Sequence, residues 1–402
     1  MQPKINIKNI IKVFGKSPES AIHLLKQGYS KRDILKKTGC TIGVNNANLD
    51  IYEGEIFVVM GLSGSGKSTL IRMLNRLIPP TSGEILIDNE NIVNMSPAEL
   101  RETRRKKISM VFQNFALFPH KTILENTEYG LEIQNISEQE RKEKAMESLE
   151  VVGLKGYENQ YPSQLSGGMQ QRVGLARALA SDTDILLMDE AFSALDPLIR
   201  KSMQDELLEI QDKYKKTIVF ITHDLDEALR IGDRIALMRD GRVMQVGTPE
   251  EIMMNPANDY VERFIEGIDL SNVLTAASIM TRAERITVDR GPRVALQIMK
   301  DRGYSNIFIV DRKQTLLGAL SADQASEAIL KQIPLEEVMT KEVPTAMEDT
   351  ILSDLLDDMA NAQMPIAIVD EANRLKGVLV RGVVIGALAG NKEILHDKEE
   401  SQ

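Results

Sequence analysis

The run EIFVVMGLSGSGKSTLIRMLNRL, residues 55–77, governs how the rest of the chain reads. A strand-length apolar segment, EIFVVM, enters a glycine-rich loop, and the helical run LIRMLNRL leaves it. The loop has the form GxxxxGK[ST], and it stands between strand and helix where a phosphate cradle belongs. Glycine lets backbone N–H groups converge on phosphate oxygens that a Cβ would obstruct. The helix that follows directs about half a positive charge at the same oxygens. Gly61, Ser63, Gly64, Ser65, Gly66, Lys67, Ser68 and Thr69 are therefore expected to hold a polyphosphate. Lys67 would neutralise its outer phosphates and Ser68 would ligate Mg²⁺.

A second chemical cue lies downstream. DILLMDE, residues 184–190, ends four apolar residues with Asp189 and Glu190 side by side. Two carboxylates at the end of a buried strand are costly unless a cation or hydrogen bonds satisfy them. Asp189 is placed to hold Mg²⁺, and Glu190 to act as general base or orienter for a water. A solvated strand end is the plainer alternative, and the apolar run before the pair speaks against it.

The bulk numbers frame these motifs. The 402 residues suffice for two or three domains, and 43% hydrophobic with 27% charged residues is a globular balance. No apolar run approaches the roughly 18–20 residues of a membrane span, and MQPKINIKN carries no signal-peptide core. The single cysteine, Cys40, excludes an intrachain disulfide and fits a reducing compartment. Four histidines without a Cys/His cluster speak against a structural metal, and a net charge of −10 against a general nucleic-acid binder. Residues 1–46 start strand-like and turn basic and helical. Residues 47–268 alternate apolar strands (EIFVVMG, EILIDN, KISMVFQ, DILLMDE, TIVFITH, RIALMRD) with amphipathic stretches, the pattern of an α/β domain with a mostly parallel sheet. From about 270 to 390 the chain repeats itself. Ile279-Met280-Thr281 returns as Val338-Met339-Thr340, Ile309-Val310-Asp311 as Ile368-Val369-Asp370, and Gly318 as Gly377, all at one offset of 59.

Leu165-Ser-Gly-Gly-Met-Gln-Gln-Arg172, about 100 residues after the phosphate loop, resembles the LSGGQ signature of ABC ATPases, with Met169 before Gln170. Gln113 is similar to the family's Q-loop, Ser193-Ala-Leu-Asp196 to its D-loop and His223 to its switch histidine. The resemblance covers about residues 5–265 and implies a P-loop NTPase core that hydrolyses Mg²⁺-ATP. It implies catalytic places for Glu190, His223 and Gln113, and Mg²⁺ contacts from Ser68, Gln113 and Asp189. Ser166, Gly167 and Gly168 open a helical run and form a second phosphate-binding helix start. In the family that surface, with Gln170 and Asp196, faces the ATP held by the other subunit, so a homodimer is expected. Phe14 is the candidate for stacking on adenine; core packing is its alternative, because a helical insertion separates it from the phosphate loop.

The wording of the cassette, with GVNNANLDIYEGEIFVVMGLSGSGKST, resembles the ATP-binding subunits of importers for glycine betaine and related quaternary-amine osmoprotectants. That implies an integral membrane permease subunit as partner, whether or not fused to a substrate-binding domain, and a peripheral place at the cytoplasmic face of the cell membrane. The repeats resemble tandem CBS domains, which makes cyclic di-AMP a candidate regulatory ligand. The CBS ribose/phosphate motif is imperfect: Ser321-Ala322-Asp323 is one residue short and Val380 to Val383 lacks it. A dimerisation platform without ligand is the alternative. The expected divisions are a nucleotide-binding domain over 1–268 (basic helical insertion at 15–41, helical signature subdomain at about 120–180), repeats at 272–331 and 332–391, and an acidic tail at 392–402. Lys31, Arg32, Lys36 and Lys37 dominate the insertion, where Ser30 to Asp33 reads as a capping box. Ile22, Leu25, Ile34 and Leu35 are expected to turn inward, leaving the cations to sense an anionic lipid surface; an ordinary solvated basic face is the alternative. No nucleic acid is expected as partner. A soluble ABC ATPase of DNA repair or translation, or an importer ATPase for another small cargo, are the competing readings; the first usually needs a coiled-coil insertion or two cassettes.

Overall fold

The computed structural model describes residues 2–113, 115–266, 270–362 and 364–388 and divides into two compact units after Glu266. The expected boundary at 268, the end of the second repeat and the acidic tail 392–402 lie outside the described residues. Among the described residues, no helix is long and apolar enough to cross a membrane.

The first unit is organised by a six-stranded sheet in the order Arg242–Gly247, Arg234–Arg239, Ile56–Met60, Thr217–Thr222, Ile185–Asp189, Ile108–Phe112. Every pairing is parallel except the first. Ile56–Met60, Ile185–Asp189 and Thr217–Thr222 are buried at every residue, which explains their unbroken apolar runs. Alternate side chains serve opposite faces. Ile56, Val58 and Met60 pack with Leu175 and Leu207, from the helices Gly167–Ala180 and Pro197–Tyr214. Phe57 and Val59 pack with Leu70, Ile71 and Leu74, from the helix Lys67–Leu74. Burying a side chain of this size is worth about 1.5–3 kcal/mol.

One expected strand of the parallel sheet lies elsewhere. EILIDN belongs to Ser82–Ile87, in a separate antiparallel sheet ordered Thr41–Ile51, Ile5–Phe14, Ser82–Ile87, Glu90–Asn91. Ile85 and Ile87 are buried while Glu84 is exposed, the alternation of a sheet with one covered face. The insertion forms two helices, Pro18–Lys26 and Lys31–Thr38, with Ala21 and Ile34 buried and Ile22, Leu24 and Leu25 half-buried around them. Leu35 does not turn inward; it is 47% exposed, because the eight-residue helix presents only Ile34 to the core. The Ser30 hydroxyl accepts from the Asp33 N–H, but the Asp33 carboxylate returns to that hydroxyl and not to the Ser30 N–H, so the box is half made.

The second unit holds two three-stranded sheets of one design. Arg285–Thr287, Asn306–Val310 and Leu316–Ser321 form one; Thr345–Met347, Ile366–Val369 and Leu375–Leu379 form the other. In each the first pairing is parallel and the second antiparallel. The repeated threonines and glycines are where the halves clasp each other. Thr281 and Val378 exchange two 2.9 Å backbone hydrogen bonds, and Thr340 and Ala319 exchange the equivalent two. A Cβ at Gly318 would lie 2.6 Å from the Thr340 carbonyl oxygen, and one at Gly377 would lie 2.9 Å from that of Thr281. Glycine recurs at these two places because a backbone from the other half crosses there.

Candidate functional site

The parallel register brings the chemistry to one edge. Met60 pairs with Thr222, Asp189 with Ile221 and Phe112 with Asp189, so the segments leaving these strands emerge side by side. They carry the phosphate loop, Gln113, Glu190 and His223.

Tight backbone approaches shape the loop. Gly61 has φ +146° and Gly66 φ +108°, and a Cβ at either would fall within 2.4 Å of a carbonyl oxygen, Met238 or Gly43 respectively. The Gly241 N–H donates to the Ser65 carbonyl at 2.8 Å, and the Asn45 N–H to the Gly241 carbonyl at 2.7 Å. Sequence reasoning missed Gly43 and Gly241, which are distant in sequence and carry no motif of their own. Lys67, 4% exposed, donates to the Gly61 carbonyl at 2.8 Å and to that of Leu62 at 3.3 Å. Burial pushes its ammonium below the ordinary lysine value, against the opposing pull of Glu190 and Asp189. An anion placed in the loop would offset that burial. Gly64, at φ +77°, leaves open space at its Cβ position, Ser63 is exposed, and the Ser65 hydroxyl is buried without a partner.

Asp189 is 3% exposed and takes two contacts from Arg72 on its Oδ2, from Nε at 3.1 Å and Nη2 at 3.0 Å. Arg72, in the helix after the loop, is a third residue the sequence reading did not find. Among the described residues neither Asp189 Oδ1 nor the Ser68 hydroxyl has a hydrogen-bond partner, and both are hard oxygen donors of the kind Mg²⁺ prefers. Glu190 has φ +49°, uncommon for a residue with a side chain. Its N–H donates to the Ile221 carbonyl at 3.1 Å, and its own carbonyl accepts from the Ser193 hydroxyl at 2.9 Å. The turn aims the carboxylate at two neighbours: Gln113 Nε2 donates to it at 3.3 Å, and His223 Nδ1 stands 3.7 Å away. Gln113 also donates to the Ser193 hydroxyl at 3.2 Å. Gln113, Glu190 and His223 thus form one constellation.

Phe14 is 40% exposed beside the loop. A Cβ at Gly43 would lie 2.7 Å from its ring and 3.3 Å from the Thr69 methyl, so ring and loop share one neighbour. Ser166, Gly167, Gly168 and Gln170 stand apart: no hydrogen bond or ion pair joins them to residues 61–69 among the described residues. Ser166 caps the helix Gly167–Ala180 by accepting from the Met169 N–H, and Gln170 donates to the Leu165 carbonyl. Asp196 caps the helix Pro197–Tyr214 by accepting from the Ile199 N–H at 3.1 Å. Lys31 is half-buried and Arg32, Lys36 and Lys37 are exposed; none has an ion-pair partner among the described residues, though Lys37 lies 3.8 Å over the Tyr29 ring.

Known proteins place this geometry. The family model for the ABC transporter matches residues 44–193, and that for the CBS domain matches residues 335–390, within the second repeat. The glycine betaine transport ATP-binding protein OpuAA of Bacillus subtilis is 62% identical, over 98% of this chain and 94% of its own length. The glycine betaine/carnitine transport ATP-binding protein GbuA of Listeria monocytogenes is 57% identical, over 97% and 98%. The glycine betaine/proline betaine transport system ATP-binding protein ProV of Escherichia coli is 52% identical, over 96% and 98%. A bacterial ABC transporter cassette solved as a dimer is 36% identical at a TM-score of 0.52, covering 61% of this chain and 98% of that one.

The Arg72–Asp189 pair generates a prediction. Arg72→Met leaves a buried carboxylate without its charge partner, a loss of about 1–3 kcal/mol. Thermal melts should show that loss without nucleotide and a smaller one in saturating Mg²⁺-ATP, where a metal held by Asp189 would take over the charge. An equal loss in both conditions would count against Asp189 as a metal ligand.

Proposed function

Because this chain belongs to the ATP-binding proteins of ABC transporters, we propose that it powers uptake of a quaternary-amine osmoprotectant, glycine betaine foremost, through a separate membrane permease. The observation that carries the reading is the meeting of Lys67, Asp189, Gln113, Glu190 and His223 at one edge of the parallel sheet. The cargo follows from relatives named for glycine betaine, at 52–62% identity across nearly the whole chain.

In this reading the phosphate loop seats ATP through its backbone N–H groups and Lys67, while Phe14 lies against the adenine. Asp189, Ser68 and Gln113 would hold Mg²⁺, which supplies charge neutralisation at the outer phosphates when bound. Glu190 accepts the proton of the attacking water, and His223 and Gln113 fix that carboxylate and the water beside the γ-phosphate. Ser166, Gly167, Gly168, Gln170 and Asp196 complete the partner subunit's site across a homodimer, so that ATP binding closes the dimer and hydrolysis reopens it. The chain then sits at the cytoplasmic face of the membrane, beneath a permease that carries or recruits the substrate-binding domain. The experiment is uptake of labelled glycine betaine and ATP turnover by the chain assembled with its permease. Glu190→Gln should lower both by at least about 10²-fold, the scale for losing a positioned base, while retaining ATP binding. Near-normal turnover would remove Glu190 from that role.

Two regulatory inputs complete the proposal. The uncompensated Lys31, Arg32, Lys36 and Lys37 contact anionic headgroups, each worth about 1 kcal/mol near the surface. The contact weakens as ionic strength shortens the Debye length from about 8 Å at 0.15 M. Cyclic di-AMP acts on the second unit. In vesicles, neutralising the four cations should abolish the salt threshold of ATP turnover, and deletion from residue 270 onward should abolish inhibition by cyclic di-AMP. An unchanged threshold removes the insertion as sensor, and unchanged inhibition moves the nucleotide to another place.

A further inference from the structure

The helix starts at Ser166 and Asp196 belong to two different helices, Gly167–Ala180 and Pro197–Tyr214. Their first turns touch: a Cβ at Gly168 would lie 2.8 Å from the Ile199 side chain. One turn further along, the helices are joined again by polar groups. Arg172 Nη1 donates to Glu206 Oε1 at 3.2 Å and to the Val152 carbonyl at 2.8 Å, and Nη2 reaches the Ser202 hydroxyl at 3.5 Å. One guanidinium thus ties the signature helix to two residues of the next helix and to the end of the helix Glu138–Val151. Gly153 follows that end at φ +69°, and its Cβ position lies 3.0 Å from Arg172 Nη1, so the arginine is tightly bracketed.

The carboxylate at this junction is not there for folding stability alone. Its second oxygen, Oε2, is buried without a hydrogen-bond partner, an expensive arrangement for a group whose work is only packing. Burial pushes the Glu206 carboxyl up to about 7; Arg172 pulls it down and Glu209, on its own helix, pushes it up. With the folded value above the unfolded one, the stabilising contribution is complete below the ordinary carboxylate range and is lost as pH rises through about 7. The ionised pair above neutrality is therefore held at a cost in stability, as expected of a contact kept to fix geometry.

We propose that Arg172 and Glu206 are positioning residues, a pin that holds Ser166–Gly168 and Asp196 as one rigid surface for the partner subunit's nucleotide. The inference rests on the composite-site reading above. Loss of the pin lets the two helix starts shift independently, and its effect falls on the nucleotide bound by the other chain. Among the described residues, no hydrogen bond or ion pair joins either residue to the phosphate loop of its own subunit.

The test uses full-length chains assembled with the permease, as mixed dimers that contain one Lys67→Ala subunit and so one working phosphate loop. Arg172→Ala is placed either in the subunit that carries Lys67→Ala or in its partner. In the first arrangement the working loop faces the altered signature surface, and ATP turnover should fall at least about tenfold. In the second the working loop faces an intact surface, and turnover should match that of the dimer carrying Lys67→Ala alone. Ser166→Arg in the same two arrangements is the yardstick. If Ser166→Arg sorts by arrangement and Arg172→Ala does not, the pin is overturned; if Ser166→Arg does not sort, the composite-site reading itself fails. Arg172→Lys, which keeps the charge and loses the fork, should sort the same way with smaller amplitude and guards against misfolding of the alanine variant. Glu206→Gln should erase a step near pH 7 in the turnover profile, which a purely packing role would leave in place. An unaltered profile would contradict the ionised pin.

Discussion

The parallel register of five adjacent strands is the constraint on which the nucleotide-binding unit depends. Side chains alternate across a strand, so a slip of one residue would exchange the two apolar faces of Ile56–Met60 and set each against the helix layer packed for the other. The same register sets Asp189 beside Ile221 and Met60 beside Thr222, and so delivers loop, carboxylates and histidine to one edge. The core therefore enforces the site: hydrophobic burial on both faces holds in line the strand ends from which the polar groups project. Glu190 adds a local device, a positive φ secured by backbone bonds to Ile221 and Ser193, that turns its carboxylate toward Gln113 and His223.

Much of this was legible in the sequence because its signals are short and contiguous. A glycine-rich loop between strand and helix, two acids ending an apolar run, and a serine-glycine-glycine helix start each lie within ten residues. The position of EILIDN was misread because an apolar stretch announces a strand but not its sheet; the exposed Glu84 among buried isoleucines was the available clue. Leu35 was misread because a helix of eight residues has too little surface to bury both Ile34 and its neighbour. Arg72, Gly43, Gly241 and the Arg172–Glu206 pin could not be read at all. Each acts through a partner distant in sequence, 117 residues away for Arg72 and Asp189, and nothing in either local stretch names the other.

The second unit shows the same economy at the level of the backbone. Of its anchors at one offset, Ile309-Val310 and Ile368-Val369 lie in equivalent strands of the two sheets, while the threonines and glycines mark the contacts by which the two halves pair. Thr281 and Thr340 exchange hydrogen bonds with Val378 and Ala319, and Gly318 and Gly377 make room for them. The weak ribose/phosphate motif, at Ser321–Asp323 and Val380–Val383, closely follows the strand residues Ala319 and Val378 that make these contacts.

The central claim is that two chains share two nucleotides, each held by the phosphate loop of one and the signature surface of the other. Sedimentation of Glu190→Gln chains in Mg²⁺-ATP, with the bound nucleotide counted, tests it most directly. The account predicts a nucleotide-dependent dimer with two ATP per pair of chains, reverting to monomers when Ser166→Arg is added. Monomers that each retain one tightly bound ATP, or a dimer indifferent to Ser166→Arg, would contradict it.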